Sequence, residues 1–160
     1  MIKHIKCDIF KSDADVICHQ VNCKKAMGRG IAGQIRSDWP IVYADYCNFI
    51  DHLYANNCIE QSKDLLGCIS WTKVGLFYIV NFFSQDEYYP RDKCHTDYVA
   101  FKMCCMKLKR LIGDKKYTIG FPYKIGCGLA GGDWNIVYKI IEEVFADYDG
   151  DVLICEYNGG

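Results

Sequence analysis

Short apolar runs alternate along this chain with polar segments that carry glycine or proline. Residues 2–7 and 14–21 read as strands, with Lys11-Ser12-Asp13 between them. Residues 22–30 are polar and Gly-bearing, and a helix is predicted from Ile31. Pro40 interrupts it, and residues 41–53 form a second helix with aromatics on its apolar side. Residues 65–72 and 75–82 predict two strands around Lys73-Val74-Gly75, a hairpin-like connection. A polar loop over 84–94 contains Pro90. Thr96 can then cap a helix with Ala100, Cys104, Leu108 and Leu111 on one face. Residues 116–121 read as a strand, and Asp133 can cap the last long helix. That helix carries Val137, Ile140, Ile141, Val144 and Phe145 as an apolar stripe, with Lys139, Glu142 and Glu143 opposite. Residues 151–157 are the final strand. Strands alternating with helices predict an α/β architecture with a mixed sheet between helical layers.

Composition narrows the function classes. The 160 residues suit one domain spanning the chain, and 51% hydrophobic with 24% charged residues is the balance of a folded globule. Nineteen Lys+Arg against twenty Asp+Glu leave a net charge of -1, which disfavours a nucleic-acid-coating role. No apolar run approaches the ~18 residues of a membrane span. The first residues lack the apolar region and cleavage site of a signal peptide. The eleven cysteines run from Cys7 to Cys155, with none at C-x-x-C spacing. Several sit inside apolar runs, as in Val16-Ile17-Cys18 and Gly67-Cys68-Ile69. These features predict a reduced, cytoplasmic protein that uses cysteine as a small core residue, with no metal site and no cofactor.

Two glycine-bearing loops carry the candidate chemistry. One is Asn22-Cys23-Lys24-Lys25-Ala26-Met27-Gly28-Arg29-Gly30-Ile31-Ala32-Gly33, between a buried-looking strand and a helix. The other is Gly126-Cys127-Gly128-Leu129-Ala130-Gly131-Gly132-Asp133-Trp134, at a second strand-to-helix junction. Amides at a helix start suit a diphosphate, because the unpaired N–H groups and the helix dipole both favour an anion. Neither loop fits the Walker pattern or the dinucleotide G-x-G-x-x-G spacing, which demotes an ATPase and an ordinary NAD dehydrogenase.

Four segments, in order, resemble a macro domain, the ADP-ribose-binding family. Cys7-Asp8-Ile9 is similar to the family's Gly-Asp-Ile/Leu after the first strand. Residues 14–23, Ala-Asp-Val-Ile-Cys-His-Gln-Val-Asn-Cys, look like its second strand ending in the family Asn. Met27-Gly28-Arg29-Gly30-Ile31-Ala32 and the run from Ile125 to Trp134 are similar to its two phosphate loops. The resemblance spans nearly the whole chain. It implies a three-layer α/β/α macro-domain fold with a mixed central sheet. Within the family the chain looks most like the group of ADP-ribose 1″-phosphate phosphatases and glutamate-directed ADP-ribosyl hydrolases.

The resemblance also assigns roles. Asp8 matches the carboxylate that takes the adenine amino group, and Ile9 the adjacent backbone donor. Asn22 matches the residue at the distal ribose. Gly28, Gly30, Ile31 and Ala32 match the amides around the diphosphate, and Gly126, Cys127, Gly128, Leu129 and Ala130 the loop closing over it. Phe83 is a candidate wall for the distal ribose and Tyr157 for the adenine; either can equally be a core or rim residue, and core is the favoured reading of Phe83. His19 matches a histidine of the phosphatase-like members and is the candidate proton donor or water-orienting group. Asn22 and Asp133 complete the candidate catalytic set. Each has a plainer reading: a buried histidine, an Asx-turn, a helix cap and ordinary turn glycines. Two departures stand out. The glutamate-directed hydrolases carry Lys at the position of Gln85 and Asp at that of Ala130. An amide cannot form the adduct an amine forms, which weighs against that activity. The expected ligand is ADP-ribose or ADP-ribose 1″-phosphate, free or with the ADP-ribosyl group on a protein. The expected activity is release of phosphate from ADP-ribose 1″-phosphate; the alternative is a non-catalytic reader.

Overall fold

The computed structural model describes residues 1–157. Six strands and four α-helices follow in the order β1 (Ile2–Lys6), β2 (Val16–Val21), α1 (Gly30–Asp38), α2 (Pro40–Ala55), β3 (Ile69–Val74), β4 (Phe77–Phe83), α3 (Tyr98–Ile112), β5 (Ile119–Pro122), α4 (Trp134–Val144) and β6 (Val152–Glu156). The strands form one sheet in the order β1-β6-β5-β2-β4-β3. All neighbours are parallel except β3, which lies antiparallel to β4 at the edge. The sheet is therefore mixed and lies between helical layers, as the alternation of elements predicts.

Both faces of β2 are covered, and its residues are all buried. Val16 and Cys18 join Phe82, Phe121 and Ile154 under α3 and α4, which contribute Phe101, Leu108, Val137 and Ile141. On the opposite face Val21 and Phe83 pack with Met27, Tyr46 and Ile50 of the α1–α2 layer. Ile35 and Val42 extend that layer over Ile79. Full burial of side chains of this size stabilises the fold by roughly 1.5–3 kcal/mol each. The apolar stripe of α4 is buried as its spacing predicts, and Asp133 caps it by accepting from Asn135 N at 2.9 Å. Pro40 opens α2 at a position where the missing N–H costs nothing.

Three local expectations shift. The hairpin turns at Gly75-Leu76 rather than around Lys73-Val74-Gly75, because Gly75 supplies the positive φ (59°) that a tight hairpin needs. Its first strand starts at Ile69, since Ser62–Leu65 form a 3-10 turn held by the reciprocal Gln61 and Asp64 cap. The cap of α3 is Asp97, which accepts from Ala100 N at 2.9 Å, and not Thr96. No helix of the described residues is long and apolar enough to cross a membrane.

Candidate functional site at the carboxyl ends of β2 and β5

The five parallel strands point their carboxyl ends the same way. The chain leaves β5 for α4 and β6 on one side, and leaves β2 for α1, α2 and the β3–β4 hairpin on the other. The boundary between β2 and β5 is thus a topological switch point, the usual ligand crevice of such sheets. The ladder there is short: Val16 pairs with Ile119 and Ile17 with Gly120, whereas β2 continues to Val21. Beyond those two pairs the ladder stops, and each strand goes on to feed one glycine loop.

The first loop is pinned from below. Met27 is buried, and Asn22 spends its side chain on local bonds. Its Oδ1 accepts from Lys24 N, Ala26 N and the Tyr46 hydroxyl, while its Nδ2 donates to Ala26 O at 2.7 Å. The Asx-turn reading therefore describes this residue. Gly28, Arg29 and Gly30 are exposed, and α1 starts with no side-chain cap. The start of α1 is therefore available to an anion. Gly33 explains how the loop lies so close to its helix: a Cβ there would stand 2.9 Å from the Gly28 carbonyl.

The second loop leaves β5 at the same edge of the sheet. Lys124, Gly126 and Gly131 all take positive φ, and Gly128 and Leu129 are exposed at its tip. The Cys127 thiol donates to Ile125 O at 3.3 Å, and burial pushes it up to about 11. It is a neutral thiol at physiological pH, not a nucleophile. Ala130 is buried and its carbonyl accepts from His95 N.

The remaining candidates spread around the rim. Asp8 caps the 3-10 turn Ile9–Lys11 through Oδ1, which accepts from Phe10 N at 3.0 Å. Its other carboxylate oxygen has no partner among the described residues. Ile9 is buried beneath it, and Tyr157 is exposed where β6 ends beside this segment. Ile31 and Ala32 sit in the first turn of α1, half-buried against the core. Phe83 takes its core reading, and its place among the ligand-binding candidates is corrected: its ring is wholly enclosed between Tyr46 and Phe49 and does not wall the cleft.

The three catalytic candidates are not brought together. His19 lies fully buried on the α1–α2 face of the sheet, its Nε2 2.6 Å from Asn81 Oδ1. Burial lowers it to about 4, against the opposing Asn81 hydrogen bond, so the ring is neutral. Asp133 belongs to α4 in the other layer, and its Oδ1 serves the helix cap. Four polar residues converge beneath the second loop: the sequence reading passed over Gln20 and Ser84 and gave Thr96 and Gln85 other places. Gln20 Nε2 donates to Gln85 Oε1 (2.9 Å) and to Thr96 Oγ1 (3.0 Å), and Gln20 Oε1 accepts from the Ser84 hydroxyl (2.6 Å). The available signal was Gln20 itself, a polar residue at a strand position whose same-face neighbours are Val16 and Cys18.

No family model matches the chain. An uncharacterised 17.5 kDa protein of enterobacteria phage T4 is 28% identical over 152 residues, 89% of this chain and 88% of that one. A Bacteroides thetaiotaomicron protein of unknown function superposes with a TM-score of 0.79 at 24% identity, over 98% of both chains. The macrodomain of Mycobacterium tuberculosis DarG superposes with a TM-score of 0.75 at 20% identity, over 100% of this chain and 99% of that one. This chain has the macro-domain fold. Thermosipho africanus DarTG, solved in complex with ADP-ribose, shares the fold with a TM-score of 0.75 at 16% identity over 97% of this chain and 41% of that longer one. The two segments that resemble the family's phosphate loops are those that follow β2 and β5. Gln85, which the sequence resemblance sets at the lysine position of the glutamate-directed hydrolases, holds a structural place: it accepts from Gln20 and donates to Glu87 O at 2.8 Å.

Proposed function

We propose that this protein binds ADP-ribose in the cleft between the β2 and β5 loops. The observation that carries this reading is the pair of glycine loops at the carboxyl ends of the neighbouring strands β2 and β5, one of them opening an uncapped helix. The diphosphate lies against the amides of Gly28, Gly30, Ile31 and Ala32, with Gly126, Cys127, Gly128, Leu129 and Ala130 over it. The adenine meets Asp8 and Ile9 near Tyr157, and the distal ribose lies toward Asn22. The ADP-ribosyl group is free or carried on a protein.

The second reading is hydrolysis of ADP-ribose 1″-phosphate. Water attacks phosphorus, the bond to the distal-ribose oxygen breaks, and loop amides stabilise the charge on the phosphoryl oxygens. The observation in its favour is His19 Nδ1, a buried acceptor with no partner among the described residues. Against it stand the full burial of His19 and the engagement of Asn22 and Asp133 in local structure. The geometry therefore supports a reader better than a phosphatase.

Calorimetric titration with ADP-ribose tests binding, and a phosphorus NMR time course with ADP-ribose 1″-phosphate separates the two readings. A reader shifts the diphosphate resonances without releasing phosphate. Release of inorganic phosphate that His19→Ala abolishes, with ADP-ribose binding retained, establishes the phosphatase. Absence of any ADP-ribose binding overturns both.

A further inference from the structure

We infer that Gln20 and Thr96 are positioning residues that hold the second glycine loop in its anion-binding shape; the ligand role of that loop rests on the function proposed above. Thr96 Oγ1 accepts from Gln20 Nε2 at 3.0 Å, which leaves its hydroxyl proton for Gly126 O at 2.6 Å. The same Gly126 carbonyl accepts from Gly132 N at 2.9 Å, so one oxygen closes the loop on itself and ties it to Thr96. Gln20 is held in turn by the Ser84 hydroxyl on its carbonyl and by Gln85 on its amide. Ser84, Thr96 and Gln20 are all buried, where an unpaired polar group costs more than a hydrogen bond returns. The clasp therefore has one satisfied arrangement.

The glycines show how close the fit is. A Cβ on Gly126 would stand 2.8 Å from Gln20 Oε1 and 3.2 Å from Thr96 Oγ1. A Cβ on Gly132 would stand 2.6 Å from Gly126 O. Gly131 rests against the backbone of Lys93 and Cys94, and Ala130 O accepts from His95 N at 2.7 Å. The loop is thus moulded onto the 93–96 segment, with Gln20 and Thr96 as the polar bolt between them. Loop amides aimed at an anion are useful only when they are held in place before it arrives.

The test uses Thr96→Val, which keeps the branched shape and removes the hydroxyl, and Thr96→Ser, which restores it. Titration with ADP-ribose is paired with amide hydrogen exchange over residues 126–132 in the ligand-free protein. Thr96→Val should weaken ADP-ribose about tenfold, the scale of one buried hydrogen bond. It should also speed exchange in the loop while leaving the α3 core protected. Thr96→Ser should return both to within about twofold of wild type. Wild-type binding that Thr96→Val leaves unchanged overturns the assignment, as does a loss that Thr96→Ser fails to restore. If the wild type binds no ADP-ribose, the functional reading fails by itself. Exchange then decides: faster loop exchange rescued by Thr96→Ser supports the clasp, and unchanged exchange overturns it.

Discussion

His19 Nε2 and Asn81 Oδ1 meet at 2.6 Å directly across the β2–β4 ladder. Asn81 Nδ2 donates onward to Ser70 Oγ at 3.0 Å, so its Oδ1 must accept and His19 must carry its proton on Nε2. The three residues form a buried polar rung across β2, β4 and β3.

That rung sets a pH dependence. The folded protein holds His19 at about 4, below its ordinary value of 6.5, because burial disfavours the cation. The unfolded chain therefore binds the extra proton first. The contribution of His19 to stability is complete above pH 6.5 and is lost as pH falls toward 4. Chemical denaturation at a series of pH values should show the wild type losing stability over that interval more steeply than His19→Gln. Parallel pH profiles would contradict the buried neutral imidazole.

Asp8 accepts from Phe10 N with one carboxylate oxygen, and the other has no partner among the described residues. A carboxylate accepts from the exocyclic amine of adenine but repels the carbonyl oxygen of hypoxanthine. ADP-ribose should therefore bind about tenfold tighter than inosine diphosphate ribose, the scale of a charge-assisted hydrogen bond. Asp8→Asn can present either an amide donor or a carbonyl, so the preference should collapse. Competition titrations of both nucleotides against both proteins measure it.

Gly33→Ala places a methyl 2.9 Å from the Gly28 carbonyl, backbone that has no flexible end to swing aside. The first loop must shift away from α1. The expected result is a stability loss of about 1–3 kcal/mol in urea unfolding. ADP-ribose affinity should fall by more than tenfold, since the loop amides no longer converge. Gly28→Ala is the control for stability alone, because a Cβ there meets no protein atom within 4 Å.

The architecture was legible because it rests on local pattern. The strand alternation of Val16, Cys18 and Gln20, the apolar stripe of α4 and the Asp133 cap all depend on neighbours in the chain. The site was legible as loops and less so as side chains. Asn22 was legible as an Asx-turn, which the bonds from Lys24 N and Ala26 N make it; the Tyr46 hydroxyl that locks it from α2 was not. Phe83 ends a strand at the correct edge, yet Tyr46 and Phe49 enclose it. Thr96 has the chemistry of a helix cap, and Asp97 takes that post while Thr96 turns toward Gly126, thirty positions away. In each case the deciding partner lies far off in sequence, where no spacing rule reaches.

The two-pair ladder between β2 and β5 has a mechanical consequence. The sheet is two half-sheets, β1-β6-β5 and β2-β4-β3, sutured by Val16–Ile119 and Ile17–Gly120 at one end and left unstitched at the other. A ligand gripped by both loops spans that open seam and acts as a second suture. On the function proposed above, pulling the halves apart would mean breaking the ligand's contacts as well as the backbone's, so ligand would toughen the protein along the line where its own backbone stitching is shortest.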